Sequence, residues 1–112
     1  MKIGSSSTAP LSEPVILILL SLAEQPRHGY AILKDVGEMS DGRVTLSTGT
    51  LYGALGRLLD DGWIERFEEQ DASRDRQAYR LTPKGKTILQ AEVARLRQLT
   101  RLASLRASAK EA

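Results

Sequence analysis

The residues best suited to binding chemistry in this sequence are the glycines and hydroxyl side chains of "STGTLYGALGR", residues 47–57. These glycines recur among leucines that are spaced as one buried face of a helix. Each glycine costs roughly 0.5–1 kcal/mol relative to alanine in a helix interior. A bare backbone at a helix N-terminus can approach phosphates, to which Thr and Tyr hydroxyls add hydrogen bonds. The same small residues would also let another helix pack closely, and the sequence leaves both interpretations open.

Catalytic chemistry has little support in the sequence. There is no cysteine, which excludes a thiol nucleophile, a disulfide and a zinc–thiolate site. His28 is the only histidine, and because no Asp, Glu or His cluster surrounds it in the sequence, we interpret it as structural. No P-loop or dinucleotide fingerprint is present, and nothing marks a Ser-His-Asp arrangement. We therefore expect no enzymatic activity, no cofactor and no metal.

The net charge of +2 is unevenly distributed along the chain. Residues 1–46 have a net charge of −1, residues 47–82 of −2 and residues 83–112 of +5. Charge alone is therefore a weak argument for nucleic-acid binding. The longest apolar run, "PVILILLSLA", is about half the length needed to cross a bilayer, so no membrane partner is expected. The lack of cysteine is compatible with a cytoplasmic location.

The first two helices are predicted from caps and apolar patterning. Ser12 is expected to cap the first helix, with Pro14 in its first turn, and apolar residues on most sides make this helix the centre of the core. The second helix is predicted over residues 28–39. There Tyr30 is expected to face inward and Lys34 outward.

The third helix is predicted to begin with Ser47 or Thr48 as its cap and to end at Gly62, which suits a left-handed C-terminal position. Its buried face is formed by Leu51, Leu55, Leu58 and Leu59. Next, "WIERFEE" and "RQAYRLT" alternate apolar and charged residues around the polar segment "QDASRD", as in a β-hairpin. A long last helix follows, with Thr82 as its cap and Pro83 in its first turn.

Three helices, a hairpin and a further helix indicate an α+β, mainly α fold, the winged helix-turn-helix. Residues 1–11 are expected to form a flexible segment and residues 12–82 the winged helix-turn-helix domain. Residues 83–112 are expected to form a C-terminal dimerisation helix with a frayed end.

Three blocks of the sequence carry a family resemblance: "HGYAILKDV", "TGTLYGALGRLLDDGWIE" and "RQAYRLTPKGK". They resemble the conserved blocks of PadR-family transcriptional regulators, in the small form with one C-terminal dimerisation helix, and the resemblance covers roughly residues 14–87. The resemblance implies a sequence-specific DNA-binding homodimer, a repressor acting on a pseudo-palindromic operator. Gly53 departs from the family pattern, which commonly has proline after the tyrosine.

The expected DNA contacts lie on the second and third helices and on the wing. Tyr52 turns about 100° away from Leu51, and we expect its ring to be half-exposed with the hydroxyl outward. Tyr79, by contrast, is expected to face the core. For the arginines of the hairpin tip, plain solvation is the alternative to contact with the DNA backbone. The predicted DNA-binding residues are Lys34, Ser47, Thr48, Gly49, Thr50, Tyr52, Gly53, Arg57, Arg74 and Arg76.

The last helix carries more apolar surface than one small domain can bury. Leu96, Leu99, Leu102 and Leu105 recur every three residues, so the stripe turns by about 60° at each step. The predicted dimerisation residues are Ile88, Leu89, Val93, Leu96, Leu99 and Leu102. A two-fold dimer would place two third helices roughly 34 Å apart on DNA.

A second functional class stays open on the sequence alone. The net charge of −2 over residues 47–82 favours a winged-helix protein-interaction module with weak or no DNA binding. The existence and identity of a small-molecule effector are not determined by the sequence. Because the last helix has no aromatic residue, no tight aromatic ligand is expected at the centre of a dimer.

Overall fold

The computed structural model describes residues 9–67 and 77–111. The predicted order of three helices, a hairpin and a last helix is confirmed, and one short strand is added before the second helix. The elements are α1 (Glu13–Glu24), β1 (Arg27–His28), α2 (Gly29–Met39), α3 (Thr48–Asp60), β2 (Ile64–Phe67), β3 (Ala78–Leu81) and α4 (Pro83–Glu111).

Helix α1 lies at the centre of the fold and contacts α2, β3 and α4. Its first turn forms as predicted, because Ser12 Oγ accepts a hydrogen bond from Val15 N at 3.3 Å and a proline occupies the start of the helix. Ile18 and Leu19 are fully buried. The hydrophobic core that surrounds them consists of Leu17, Leu22, Ile32, Val36, Leu51, Ala54, Leu55, Leu58, Ile64, Tyr79, Leu81 and Leu89.

The sheet has three antiparallel strands in the order β1-β3-β2. Strand β1 pairs Arg27 with Tyr79 on β3, and β2 pairs Arg66 with that same tyrosine from the other side. The guanidinium of Arg27 is anchored because its Nε donates to Ser21 O at 3.1 Å. Since β1 has only two residues, it is too short to show the alternation from which strands are predicted.

Helix α4 is fixed to the turn that follows α3. Thr82 Oγ1 accepts from Gly85 N at 3.0 Å and donates to Gly62 O at 2.6 Å, which confirms Thr82 as the cap. Gly62 has a φ of +77°, the left-handed conformation expected there. A side chain at Gly85 would overlap the carbonyl of Trp63, whose carbon would lie 2.9 Å from the added Cβ. Glycine is therefore required where α4 meets the turn.

The chain that leads into α1 is attached to α4. Leu11 packs against the core, and its N–H donates to Oε2 of the buried Glu92 at 3.3 Å. Arg95 Nε donates to the other oxygen of Glu92 at 3.1 Å. The hydrogen bond from Arg95 lowers the pKa of Glu92, with a smaller contribution from the Leu11 N–H, although burial acts in the opposite direction. The last residue of the segment predicted as flexible is thus held in place.

The described ranges contain neither a membrane-spanning helix nor a cluster of metal-binding side chains. No helix in residues 9–67 and 77–111 is long and apolar enough to span a bilayer. The same residues contain no group of three His, Cys, Asp or Glu side chains that could hold a metal ion.

Candidate nucleic-acid interface

The first turn of α3 is closed by its own hydroxyl groups. Ser47 Oγ accepts from Thr50 N at 3.1 Å and donates to Thr50 Oγ1 at 2.9 Å. Both side chains remain exposed, but this exchange already uses part of their hydrogen-bonding capacity. Thr48 is also exposed, and no hydrogen bond among the described residues engages its hydroxyl. Thr48 is consequently the hydroxyl in this turn best placed to bind an external group.

The outer face of α3 is bare. Gly49 and Gly53 are exposed and Gly56 is half-buried, and a Cβ at any of the three would meet no atom within 4 Å beyond its chain neighbours and the backbone of its own helix. Within the described part of this chain, no helix packs against these glycines. Arg57 is exposed one turn after Gly53. The surface is open along about two turns of α3, from Gly49 to Arg57, and ends in a positive charge.

Tyr52 has a different orientation from the one predicted. Its side chain is 47% exposed, but its hydroxyl lies against Gly29, where a Cβ would overlap the oxygen and lie 2.8 Å from Cζ. The expectation of an outward hydroxyl is wrong, because the ring is long enough to reach from α3 to the start of α2. Burial raises the pKa of Tyr79, and the nearby Tyr52 raises it further. Tyr52 therefore lies where α3, α2 and the sheet meet.

Helix α2 presents Tyr30 to solvent. This side chain is 73% exposed, so the predicted inward position is wrong. The buried face of α2 is set by Ile32 and Val36, and Tyr30 lies two residues before Ile32, about 200° around the helix. Lys34 is exposed as predicted and lies on the same side as Tyr30, four residues on. Tyr79 is 5% exposed and faces the core as predicted.

The two arginines predicted at the hairpin tip, Arg74 and Arg76, lie outside the described residues. The stem of the hairpin is described, and it contains two further arginines. Arg66 Nε donates to Gln77 Oε1 at 2.9 Å. Arg80 Nε donates to Glu65 Oε2 at 2.7 Å, and its guanidinium lies 4.8 Å from the centre of the Phe67 ring.

The basic residues near α3 differ from several others in whether they pair with a carboxylate. In the described ranges, four arginines are paired with carboxylates, whereas three basic residues on α2, α3 and the stem have no such partner. The paired residues are Arg27, Arg43, Arg80 and Arg95. The residues without a carboxylate partner are Lys34, Arg57 and Arg66. Arg66 is not among the residues predicted from the sequence, although its position two residues after Ile64 in an alternating strand places both on one face.

The family model of the transcriptional regulator PadR-like family matches residues 18–91. The chain belongs to this family. The match runs from the middle of α1 through the first third of α4 and includes the open face of α3 and the hairpin stem. It agrees with the resemblance carried by the three sequence blocks.

Solved structures show the same fold. A PadR family transcription regulator from Clostridium difficile is 26% identical, with a TM-score of 0.70 over 84% of this chain and 97% of that chain. A transcriptional regulator from Clostridium thermocellum is also 26% identical, with a TM-score of 0.68 over 80% of this chain and 88% of that one.

A curated relative is a 37.1 kDa protein in a Streptomyces fradiae transposon, described as uncharacterized. It is 36% identical over 85 residues, which are 76% of this PadR-family chain but 23% of the relative. The chain thus spans about a quarter of that protein's length.

The predicted dimerisation residues of α4 separate into two sets. Leu89 is buried in the protein's own core, Val93 packs against that core, and Ile88 is half-buried. These three side chains are thus wholly or partly buried by contacts within their own chain. Farther along α4, the leucines are more exposed, at 37% for Leu96, 48% for Leu99, 39% for Leu102 and 61% for Leu105.

Proposed function

We propose that this PadR-family protein is a homodimeric repressor that binds a pseudo-palindromic operator through the outer face of α3. The observation that carries the proposal is the open surface around Gly49 and Gly53, where no described atom would meet an added Cβ. A helix with such a surface can enter a DNA major groove with its backbone close to the phosphates. Membership of a family of transcriptional regulators supports the same conclusion.

Each contact has a proposed role. Ser47, Gly49 and Thr50 present the N-terminal backbone of α3 to a phosphate, and Thr48 adds its hydroxyl. Gly53 lets the backbone approach, and the exposed ring edge of Tyr52 packs against the DNA. Lys34 and Arg57 neutralise phosphates on either side of the groove. Arg74 and Arg76 at the wing tip are proposed to reach the neighbouring backbone.

The proposed dimer uses the exposed leucines of α4. Burial of a leucine side chain contributes about 1.5–3 kcal/mol relative to exposure, so a stripe of four provides a driving force for association. Substitution of both Leu99 and Leu102 by Ser should shift the chain to a monomer in sedimentation equilibrium, while its circular dichroism stays unchanged. A double variant that sediments as the wild type does would contradict this use of α4.

The decisive experiment begins with selection of binding sites from random duplexes by the wild-type protein. Affinity for the selected duplex is then measured for the double variant Thr48→Ala/Arg57→Ala. Its matched control is Thr100→Ala/Arg106→Ala, which removes the same two groups from exposed positions on α4. The α3 variant should bind at least about tenfold more weakly, as expected for the loss of contacts of about 1–3 kcal/mol, and the control should not.

Two outcomes would count against DNA recognition by α3. Equal losses for the two double variants would place the binding surface elsewhere. No binding at low salt by a folded dimer would favour the protein-interaction module instead, which is supported by the net charge of −2 over residues 47–82. Repression is tested separately with a reporter gene placed behind the selected site, whose expression should fall when the protein is present.

A further inference from the structure

We propose that Arg66 binds a DNA phosphate from the stem of the wing, with Gln77 as the residue that positions its guanidinium. This deepens the proposed function, on which it rests, by assigning a contact between α3 and the wing tip. Neither of these residues belongs to the surface predicted from the sequence.

Arg66 lies at the junction of α3 and the wing. It follows the buried Ile64 by two residues, so both side chains are on the core-facing side of β2, and β2 contacts α3. Its direct neighbour across the strands is Tyr79, which is near Tyr52 of α3. Ile64 lies inside the core, but Arg66 is exposed, because the hairpin leaves the body of the protein between them.

The partner of Arg66 is neutral. Gln77 Oε1 accepts from Nε at 2.9 Å and fixes the side chain without reducing its charge. No carboxylate within the described ranges forms an ion pair with Arg66. The two terminal amino groups of the guanidinium can therefore bind a pair of phosphate oxygens, the geometry for which arginine is best suited.

Arg80 shows the opposite arrangement on the adjacent strand. It is exposed as well, but Glu65 lies directly across from it and accepts from its Nε at 2.7 Å. Its guanidinium also stacks on the ring of Phe67. Arg66 lies across from Tyr79, which precedes Arg80 on β3. Since neighbouring residues of a strand point to opposite faces, Arg66 and Arg80 lie on different sides of the hairpin. Arg80 is thus neutralised on the opposite face of the hairpin, and it serves as an internal control.

The test compares Arg66→Gln with Arg80→Gln on the duplex selected by the wild-type protein. Arg66→Gln should weaken binding by about tenfold, and the slope of log affinity against log salt should fall by about 0.9, the value for one lost phosphate contact. Arg80→Gln should change affinity by less than about threefold and leave the salt slope as it is. Thermal unfolding of both variants shows that they are folded.

Gln77 provides a second measurement that keeps residue 66 intact. Gln77→Glu places a carboxylate beside Nε and should reduce affinity about as much as Arg66→Gln does. In a chain that already carries Arg66→Gln, the same change should have little further effect, because the two residues act as one unit. Losses that multiply in the double variant would mean general repulsion of DNA by the new charge, and would overturn the positioning role of Gln77.

Failure of this inference can be told apart from failure of the proposed function. If the wild-type protein binds no duplex, the proposed function fails and the Arg66 assignment falls with it. If the wild type binds and Thr48→Ala/Arg57→Ala loses affinity, but Arg66→Gln behaves as Arg80→Gln does, only the Arg66 assignment is overturned. Should Arg66→Gln unfold, Arg66→Lys decides: it keeps the charge without the two-pronged geometry and should lose affinity with an unchanged salt slope.

Discussion

Helices α3 and α4 both carry a row of leucines, but the two rows have opposite fates. In α3, Leu51, Leu55 and Leu58 are 1%, 0% and 4% exposed. In α4, the leucines from residue 96 onward are 37–61% exposed. Steps of four and three keep the stripe of α3 on one face, whereas repeated steps of three rotate that of α4 by about 60° each time. From residue 96 to residue 107, α4 also has no buried position, so its leucines stay exposed there.

The two helices consequently have different surfaces to offer. The leucines of α3 pack in the core, so its outer face does not need apolar side chains. That face carries glycine and threonine, which are small enough for a polar ligand to approach the helix closely. Only the first half of α4 packs on the domain, and the second half carries leucines that the described chain does not cover. We infer that α3 faces a polar partner and α4 an apolar one.

The largest expected effect is the difference in stability between truncating a leucine of the α3 row and truncating one of the α4 row. Leu55→Ala should lower the free energy of unfolding by about 2–5 kcal/mol at any protein concentration, because it leaves a cavity in the core. Leu102→Ala should cost less than about 0.5 kcal/mol in the isolated chain. It should instead reduce the dependence of the unfolding midpoint on protein concentration, which is the signature of association. Denaturant titrations at several concentrations measure both effects.

That contrast has a clear point of failure. A Leu102→Ala variant that loses as much stability as Leu55→Ala at every concentration would show that the second half of α4 belongs to the core of its own chain.

The next largest effect is expected where Tyr52 of α3 contacts Gly29 at the start of α2. Gly29→Ala should lower the free energy of unfolding by about 1–3 kcal/mol, because the new methyl group overlaps the Tyr52 hydroxyl and crowds its ring. Tyr52→Phe removes the nearest atom and should restore part of that loss in the double variant. A double-mutant cycle by thermal unfolding measures the coupling, and strictly additive losses would mean that the two residues do not meet.

A smaller change in stability, in the stabilising direction, is expected for a substitution on the outer face of α3. Gly53→Ala should raise the free energy of unfolding by about 0.5–1 kcal/mol, since the site has helical geometry and open space around the added carbon. If α3 enters DNA as proposed, affinity of the same variant for the selected duplex should fall, because the methyl group keeps the helix backbone away from DNA. A variant that is more stable and binds DNA as tightly as the wild type would show that close approach at residue 53 is unnecessary.

The smallest effect concerns the hydrogen bonds at the base of α4. The pKa of Glu92 is lowered from its ordinary value of 4.5, so the charged form stabilises the fold at neutral pH. This contribution should be complete above about pH 4.5 and should be lost as the pH falls through the lowered pKa. The difference in thermal midpoint between the wild type and Glu92→Gln should therefore shrink in acid. A difference that stays constant down to pH 3 would contradict a role for the charge.

Helix ends were the most predictable part of the fold. The caps Ser12 and Thr82 and the left-handed Gly62 are predictable from neighbouring residue types, because a cap bonds to backbone groups only three residues away. For α3 the sequence left Ser47 and Thr48 as alternatives, and the structure has Ser47 as the cap. The hairpin stem was predictable for the same reason, as its alternation lies within two short runs. Strand β1 was not, since its two residues become a strand only by pairing with β3.

The sequence by itself determined the order of the elements, the family blocks and the leucines that form the buried side of α3, because these depend on spacing along a single helix or strand. Only the tertiary structure decided that the Tyr52 hydroxyl rests on Gly29, that Leu89 is used by the protein's own core, and that Arg66 is held by a neutral amide while Arg80 faces a carboxylate. Those outcomes depend on which elements meet and at what distance. A one-dimensional pattern carries no information on that distance. The shape and charge of the candidate DNA-binding surface depend on it, and they are therefore decided by the tertiary structure.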